Sequence, residues 1–403
     1  MRRDGYALFS AGRIGSLALP NRLVRSATWD PCVIQARRML DEVLDLYREL
    51  ALGGVGMIIT GGFPVFEAGM PDAEGAGGSE GDLSYDDVRI EGMERLVEAV
   101  RGARSDCPVI AQLEATYLDT GPSAIESPYA PEGIRPLSTA EIERVVDCFV
   151  EGIVDMWTRG FDGVQLHASH GGLLSFFLSP YTNRREDAYG GSTRKRVRIV
   201  REIVSQARET VGDFPILIKA NGTDYLEGGI DLDTFPALAR EIEAAGVDGI
   251  EVSGGMWECL VRSEEELGFR PVPAPESHTA IASPEKQSYF RAYAERLELG
   301  IPVILVGGNR DVERLEGIVR RGKVDFIALC RPLISEPDLP NRWLAGRGGS
   351  GTDCISCNSC VHAQYVHPGR PGPDVTTCVF KADKEQHRMA QRWLRRWVAE
   401  NKK

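Results

Sequence analysis

The sequence predicts an α/β fold, a (β/α)8 TIM barrel carrying an N-terminal hairpin plug and a C-terminal cysteine-rich extension. Three observations lead there. Short β-branched apolar runs recur eight times, amphipathic segments separate them, and glycines or polar residues close most of the runs. The runs are Leu23 to Ala27, Val55 to Thr60, Val109 to Leu113, Gly163 to His167, Ile216 to Lys219, Gly249 to Ser253, Val303 to Val306 and Phe326 to Leu329. Between them, stretches such as Ser138 to Arg159 and Ser192 to Thr210 carry apolar residues at three- and four-residue spacing. Alternating strands and helices imply parallel pairing with right-handed crossovers. Eight repeats close a barrel without straining a connection; an open doubly wound sheet is the weaker alternative.

The remaining segments follow from that frame. Leu8 to Leu19 reads as a hairpin plugging the N-terminal mouth. Trp257 to Pro284 is too long for a plain connection and is expected to cross the active face. A last helix near Asp338 to Leu344 precedes the glycine-rich linker Gly346 to Gly351, a cysteine cluster and a basic helix from about Ala382 to Lys403. We therefore divide the chain into a barrel over 1–346 and a cysteine-cluster segment with its helix over 347–403.

Composition narrows the function. The 403 residues carry a net charge of −12, which argues against nucleic acid or an anionic membrane as partner. No apolar run approaches the roughly 18 residues of a membrane helix, and the N-terminus lacks a secretory apolar stretch, so a cytoplasmic location is expected. Of nine cysteines, Cys32, Cys107, Cys148, Cys259 and Cys330 are scattered and read as small buried apolar residues.

Barrel chemistry sits at the C-terminal ends of the strands. Val306-Gly307-Gly308-Asn309 and Cys330-Arg331-Pro332 close the last two, where barrels commonly bind phosphate. Glycines admit backbone N–H groups to an anion and arginine adds a bidentate cation. The bland alternative is a tight turn and an arginine paired to a surface carboxylate. His167 and His170 end the fourth run; by themselves they would read as one structural histidine and one on the surface.

The ordered set Asn21-Arg22-Leu23-Val24-Arg25-Ser26-Ala27-Thr28, Thr60-Gly61, Gln112, His167-Ala-Ser-His170-Gly, Phe177-Leu-Ser-Pro180, Asn183-Arg184, Asp187-Ala-Tyr-Gly-Gly-Ser192, Gly307-Gly308 and Arg331-Pro-Leu333 resembles the old yellow enzyme family of FMN-dependent oxidoreductases. The 2-enoate reductase and trimethylamine dehydrogenase branch is the nearer part of it. The resemblance implies FMN across the barrel mouth, with Ala27, Thr28 and Gly61 flanking the ring and Gln112 on its pyrimidine edge. Lys219 would stand near N1 and O2, where members often use arginine, and Gly307, Gly308 and Arg331 would hold the phosphate. It also implies that His167 and His170 donate to a substrate oxygen on which charge builds as hydride arrives at the β-carbon. A metal at the pair is not expected, for lack of a third ligand nearby.

Departures from the family surround this site. Gly172 stands where relatives usually carry the tyrosine that protonates the α-carbon. Trp29 stands near flavin N5, where relatives have Thr or Cys, and Glu114-Ala115-Thr116-Tyr117 replaces Asn-His-Ala-Gly. Trp29 would narrow the substrate space or stack on a planar ligand; Tyr117, Tyr129 or Tyr181 would then have to supply the proton. An ordinary small enone is not the expected substrate.

Cys354, Cys357, Cys360 and Cys378 have the spacing C-x2-C-x2-C-x17-C. Three close thiolates and a distant fourth suit a [4Fe–4S] cluster; zinc, or four reduced structural thiols, are the alternatives. The cluster-bearing branch places its cysteines at this point. The expected activity is hydride transfer from NAD(P)H through FMN to an unsaturated carbonyl or carboxylate in a small-molecule substrate. The alternative is an oxidative dehydrogenase or electron-transfer subunit that passes electrons from FMN through the cluster to a partner protein. A homo-oligomer is expected, with the Trp393/Trp397 stripe a possible contact that more often packs on its own barrel.

Overall fold

Eight parallel strands close on themselves, each pairing with its neighbour in chain order until the eighth returns to the first. In order they are Leu23–Arg25, Met57–Glu67, Val109–Thr116, Gly163–Ala168, Ile216–Asn221, Gly249–Ser253, Val303–Leu305 and Phe326–Leu329. The structure is a computed structural model that describes residues 2–67, 85–116, 119–127, 130, 132–271, 274–361, 376–382, 388 and 391–392. The predicted (β/α)8 barrel is the observed fold.

Two apolar layers hold it. Inside, Val24, Met57, Ile59, Ile110, Leu217, Ile304, Phe326 and Ala328 form one buried cluster with Ile14 and Leu19. The last two come from the hairpin Gly12–Ile14 and Leu17–Leu19, which thus plugs the N-terminal mouth as predicted. Outside, the helices bury one face each against the strands. The helix Arg198–Val211 does so through Ile199, Val200, Ile203, Val204 and Ala207, at helical spacing. Thr139–Thr158 begins with a capping box between Ser138 and Glu141, an arrangement that stabilises a helix start by about 1 kcal/mol.

Several boundaries differ from those read in the sequence. The helix expected over Ser192 to Thr210 is two, Thr193–Arg196 and Arg198–Val211, meeting at Val197. The second strand continues to Glu67 because an equally extended third strand pairs with it as far as Thr116. The last barrel helix, Leu339–Leu344, follows a short one at Arg331–Ser335. The C-terminal segment is helical at Val379–Ala382, while Trp393 and Trp397 lie outside the described residues.

Beyond residue 346 the chain is hydrogen-bonded back to the barrel. Val312 N–H donates to Ser350 O (2.9 Å) and Trp343 Nε1 to Gly351 O (3.1 Å), so the chain turns back over the barrel. Ser356, Asn358 and Ser359 are buried there. Among the described residues no helix is long and apolar enough to cross a membrane.

Candidate active site at the strand ends

Strand side chains alternate in direction. Ile110 and Leu217 belong to the inner apolar layer, so Gln112 and Lys219, two residues on, face the same interior one level higher. The barrel lining changes at that level from apolar to polar, below a cavity of about 460 Å³. Ala27, Thr28, Trp29, Gln112, His167, His170, Lys219, Gly307, Gly308 and Arg331 all line it.

Gly61 is the exception. The pairing of the second and third strands shifts between Ile59 and Gly62, where one extra residue forms a bulge. That shift puts Gly62 on the cavity. Gly61 instead faces the first strand's loop, and a Cβ on it would come within 2.6 Å of Thr28 O.

The polar floor is continuous. Gln112 Nε2 donates to Gln165 Oε1 (2.7 Å) and Gln165 Nε2 to Glu251 Oε2 (2.8 Å). Ser26 Oγ donates to Glu251 Oε1 (2.7 Å), and Lys219 Nζ lies 3.1 Å from Ser26 Oγ and 3.3 Å from Glu251 Oε1. Gln165 and Glu251 were missed in the sequence. The available signal was a glutamate inside Gly249–Ser253, a strand buried throughout.

The histidines sit beside that floor. His167 pairs in register with Lys219, and its ring centroid lies 5.1 Å from that of His170. His170 Nε2 lies 2.7 Å from Ser253 Oγ, and the backbone N–H of His170 donates to Asn221 Oδ1 at 3.2 Å. Asn221 in turn donates to Asp224, a buried carboxylate that also accepts from Ser179 Oγ at 2.7 Å. The Ser179-Pro180 motif thus anchors the histidine turn. Burial, reinforced by the nearby Lys219 cation, pushes His167 down to about 3. Burial also drives His170 well below its ordinary range, with His167 and Lys219 adding to it. Both rings are neutral at physiological pH, so each offers one N–H.

Two glycines follow the pair for different reasons. Gly171 has φ 88°, and a Cβ on it would lie 2.2 Å from Trp257 Cδ1, so it gives that indole room. Gly172 lines the cavity with φ −65° as N-cap of Leu173–Leu178. The Trp257 to Pro284 excursion crosses the active face as expected and brings Trp257, Glu276 and Ile281 to the cavity. Burial raises the Glu276 carboxyl, against the pull of Lys219 and Arg331. Of the three tyrosines considered as proton donors, Tyr181 does not line the cavity, and Tyr117 and Tyr129 lie outside the described residues. Tyr289 does line it.

At the opposite end, Gly307 and Gly308 adopt φ 96° and 70°. Their carbonyls accept from the N–H groups of Tyr289 (3.2 Å) and Ser288 (3.3 Å). In a trans peptide the N–H points opposite to the carbonyl, so the N–H groups of Gly308 and Asn309 aim away from Ser288 and Tyr289. Arg331 donates through Nη1 to His278 O (2.9 Å) and to Asn358 Oδ1. His278 is stacked between Phe269 and Tyr289, with centroids 3.5 and 3.8 Å away.

Cys330, expected to be a small buried apolar residue, lines the cavity with its Sγ 3.2 Å from Thr28 Oγ1, one residue beyond the end of the last strand. Cys354, Cys357, Cys360 and Cys378 are free thiols. Burial pushes Cys354 and Cys360 upward. Among the described residues no three His, Cys, Asp or Glu side chains are placed to hold a metal ion. The cluster that suits the spacing of the four cysteines is thus not shown among the described residues.

The model of the NADH:flavin oxidoreductase / NADH oxidase family matches residues 7–348. This chain belongs to that family. It is also 33% identical over 374 residues to an NADH oxidase of Thermoanaerobacter brockii, covering 88% of this chain and 53% of that protein. A metal reductase of Desulforamulus reducens is 32% identical over 363 residues, covering 87% and 50%. The chain thus spans about half the length of these two curated relatives. The fold matches the solved complex of 2-naphthoyl-CoA reductase with 2-naphthoyl-CoA at TM-score 0.74 and 22% identity, over 95% of this chain and 58% of that one. An old yellow enzyme homologue from Zymomonas mobilis matches at TM-score 0.64 and 20% identity, over 87% and 95%. These two likenesses concern the fold alone.

Proposed function

We propose that the chain is an FMN-dependent oxidoreductase that takes hydride from NAD(P)H and delivers it to an unsaturated carbonyl or carboxylate compound. The carrying observation is that one cavity joins the paired imidazoles, the amide and ammonium of Gln112 and Lys219, and the arginine with its twin glycines. The chemistry of that donor set suits FMN. Arg331 and the N–H groups of Gly308 and Asn309 would meet its phosphate, and Gln112 and Lys219 the pyrimidine edge of its ring. Bound there, FMN supplies the hydride acceptor and donor.

The chain's own residues do the rest. His167 and His170, held neutral, hold a substrate oxygen and stabilise the charge that grows on it. Ser253 Oγ, 2.7 Å from Nε2, holds the His170 ring in place. Trp29 and Trp257, whose indoles are large and flat, line the same cavity as Gly172, which has no proton to give. These features favour a flat substrate larger than a small enone. The fold neighbour solved with 2-naphthoyl-CoA is in keeping with that class.

Anaerobic mixing tests the reading. NADH or NADPH should bleach the flavin of the purified protein, and cyclohexenone should then restore its absorbance slowly. Purification without flavin would defeat the proposal, and fast reoxidation by cyclohexenone would defeat the substrate class. Gly172→Tyr, a change that the backbone there accepts, is expected to speed cyclohexenone reoxidation by about 100-fold, the scale of one positioned general acid.

A further inference from the structure

The proposed function uses Gln112 and Lys219 directly and leaves the side chains beneath them without a task. Gln165 and Glu251 are fully buried and lie behind the cavity lining. A carboxylate in such a place is costly unless its oxygens are well partnered. Those of Glu251 are: Oε1 accepts from Ser26 and faces Lys219, and Oε2 accepts from Gln165.

An ionised carboxylate can only accept. Gln165 must therefore turn its amide nitrogen to Glu251 and its carbonyl to Gln112. Gln112 must answer with its own nitrogen, and its carbonyl end is left for the cavity. The same carboxylate cancels the charge of Lys219. One residue sets both the direction of an amide and the net charge of the floor.

We propose that Glu251 is a positioning residue that orients Gln112, neutralises Lys219, and thereby lowers the reduction potential of FMN held above them. The proposal rests on the FMN reading. Together Lys219 and Glu251 present no net charge. Removing the carboxylate unmasks a cation beside the ring, and a cation there favours the anionic reduced flavin.

The experiment is a potential measurement on the purified flavoprotein, equilibrated anaerobically with a reference dye. Glu251→Gln is expected to move the reduction equilibrium about tenfold toward reduced flavin, about 30 mV for two electrons. Glu251→Asp keeps the charge and should stay within about threefold of wild type, which a purely structural role would not produce. An unchanged or lowered potential in flavin-loaded Glu251→Gln overturns the proposal. Should Glu251→Gln fail to fold, the neutral pair Lys219→Met with Glu251→Gln is compared with Lys219→Met alone. The pair must then show the higher potential, and equality overturns the idea. A wild-type protein that retains no flavin sinks the FMN reading itself, whereas a flavin-loaded one with unmoved potentials sinks only the role of Glu251.

Discussion

Two walls of one cavity are made in different ways. On the wall of strands three to six, Gln112 stands in register with Gln165, His167 with Lys219, and Lys219 with Glu251. Each position is set by the strand ladder. The opposite wall is assembled from pieces far apart in the chain: the Gly307-Gly308 turn, Arg331, the excursion around His278, and the C-terminal segment. Asn358 is their junction, since it accepts from Arg331 and donates through Nδ2 to Ser277 O at 2.6 Å. A ladder costs nothing extra to order once the barrel closes. A wall of loops has to be ordered bond by bond against chain entropy.

The contrast can be broken most sharply on the ladder wall. His167→Ala or His170→Ala should slow oxidation of the reduced flavin by substrate about 100- to 1,000-fold, the scale of one lost oxyanion donor. Reduction by NAD(P)H should change far less. Stopped-flow absorbance separates the two half-reactions, and equal losses in both would contradict the assigned role.

Acid comes next in size and strikes both walls. Burial, with the Arg331 cation adding to it, pushes His278 down to about 3, the same depression as at His167. The unfolded chain takes up these protons near pH 6.5. Stability is therefore full above about pH 6.5 and is lost as pH falls toward about 3. We expect a loss of about 2–3 kcal/mol from His278 by pH 4.5. His167 should lose less, since its ring lines a cavity that admits water. Urea unfolding against pH measures it, and His278→Phe, which keeps the stack between Phe269 and Tyr289, should flatten the slope.

A smaller effect separates the loop wall from its support. Arg331→Ala should weaken flavin binding about 10- to 100-fold through one lost charged hydrogen bond. Asn358→Ala should weaken it only about three- to tenfold, because it loosens the arginine without removing it. Flavin reconstitution followed by fluorescence ranks the two. A larger loss at Asn358 would mean that the junction matters more than the cation.

The two walls also differed in how far they could be read beforehand. The periodicity of eight runs and their terminal residues located the histidine pair, Gln112, Lys219 and Arg331, because strand side chains alternate with a period of two and barrel chemistry collects at one end. That Gly62 rather than Gly61 lines the cavity was not readable, because a bulge leaves no trace in an apolar-to-glycine run. Glu251 was readable as a charge in a buried strand, yet its partners were not, since they lie on other strands. Trp257, Glu276 and Asn358 come from segments with no periodicity to extrapolate.

By itself, the sequence determined the closed barrel, the hairpin plug and the strand-end residues, because those follow from local alternation and from the one way eight parallel units can bury their apolar faces. Only the tertiary structure decided which glycine faces the cavity, that Cys330 opens onto it, that the C-terminal segment walls it, and that Glu251 is joined through Gln165 to Gln112. Each of those depends on a hydrogen bond or a packing contact between residues whose approach no local pattern encodes.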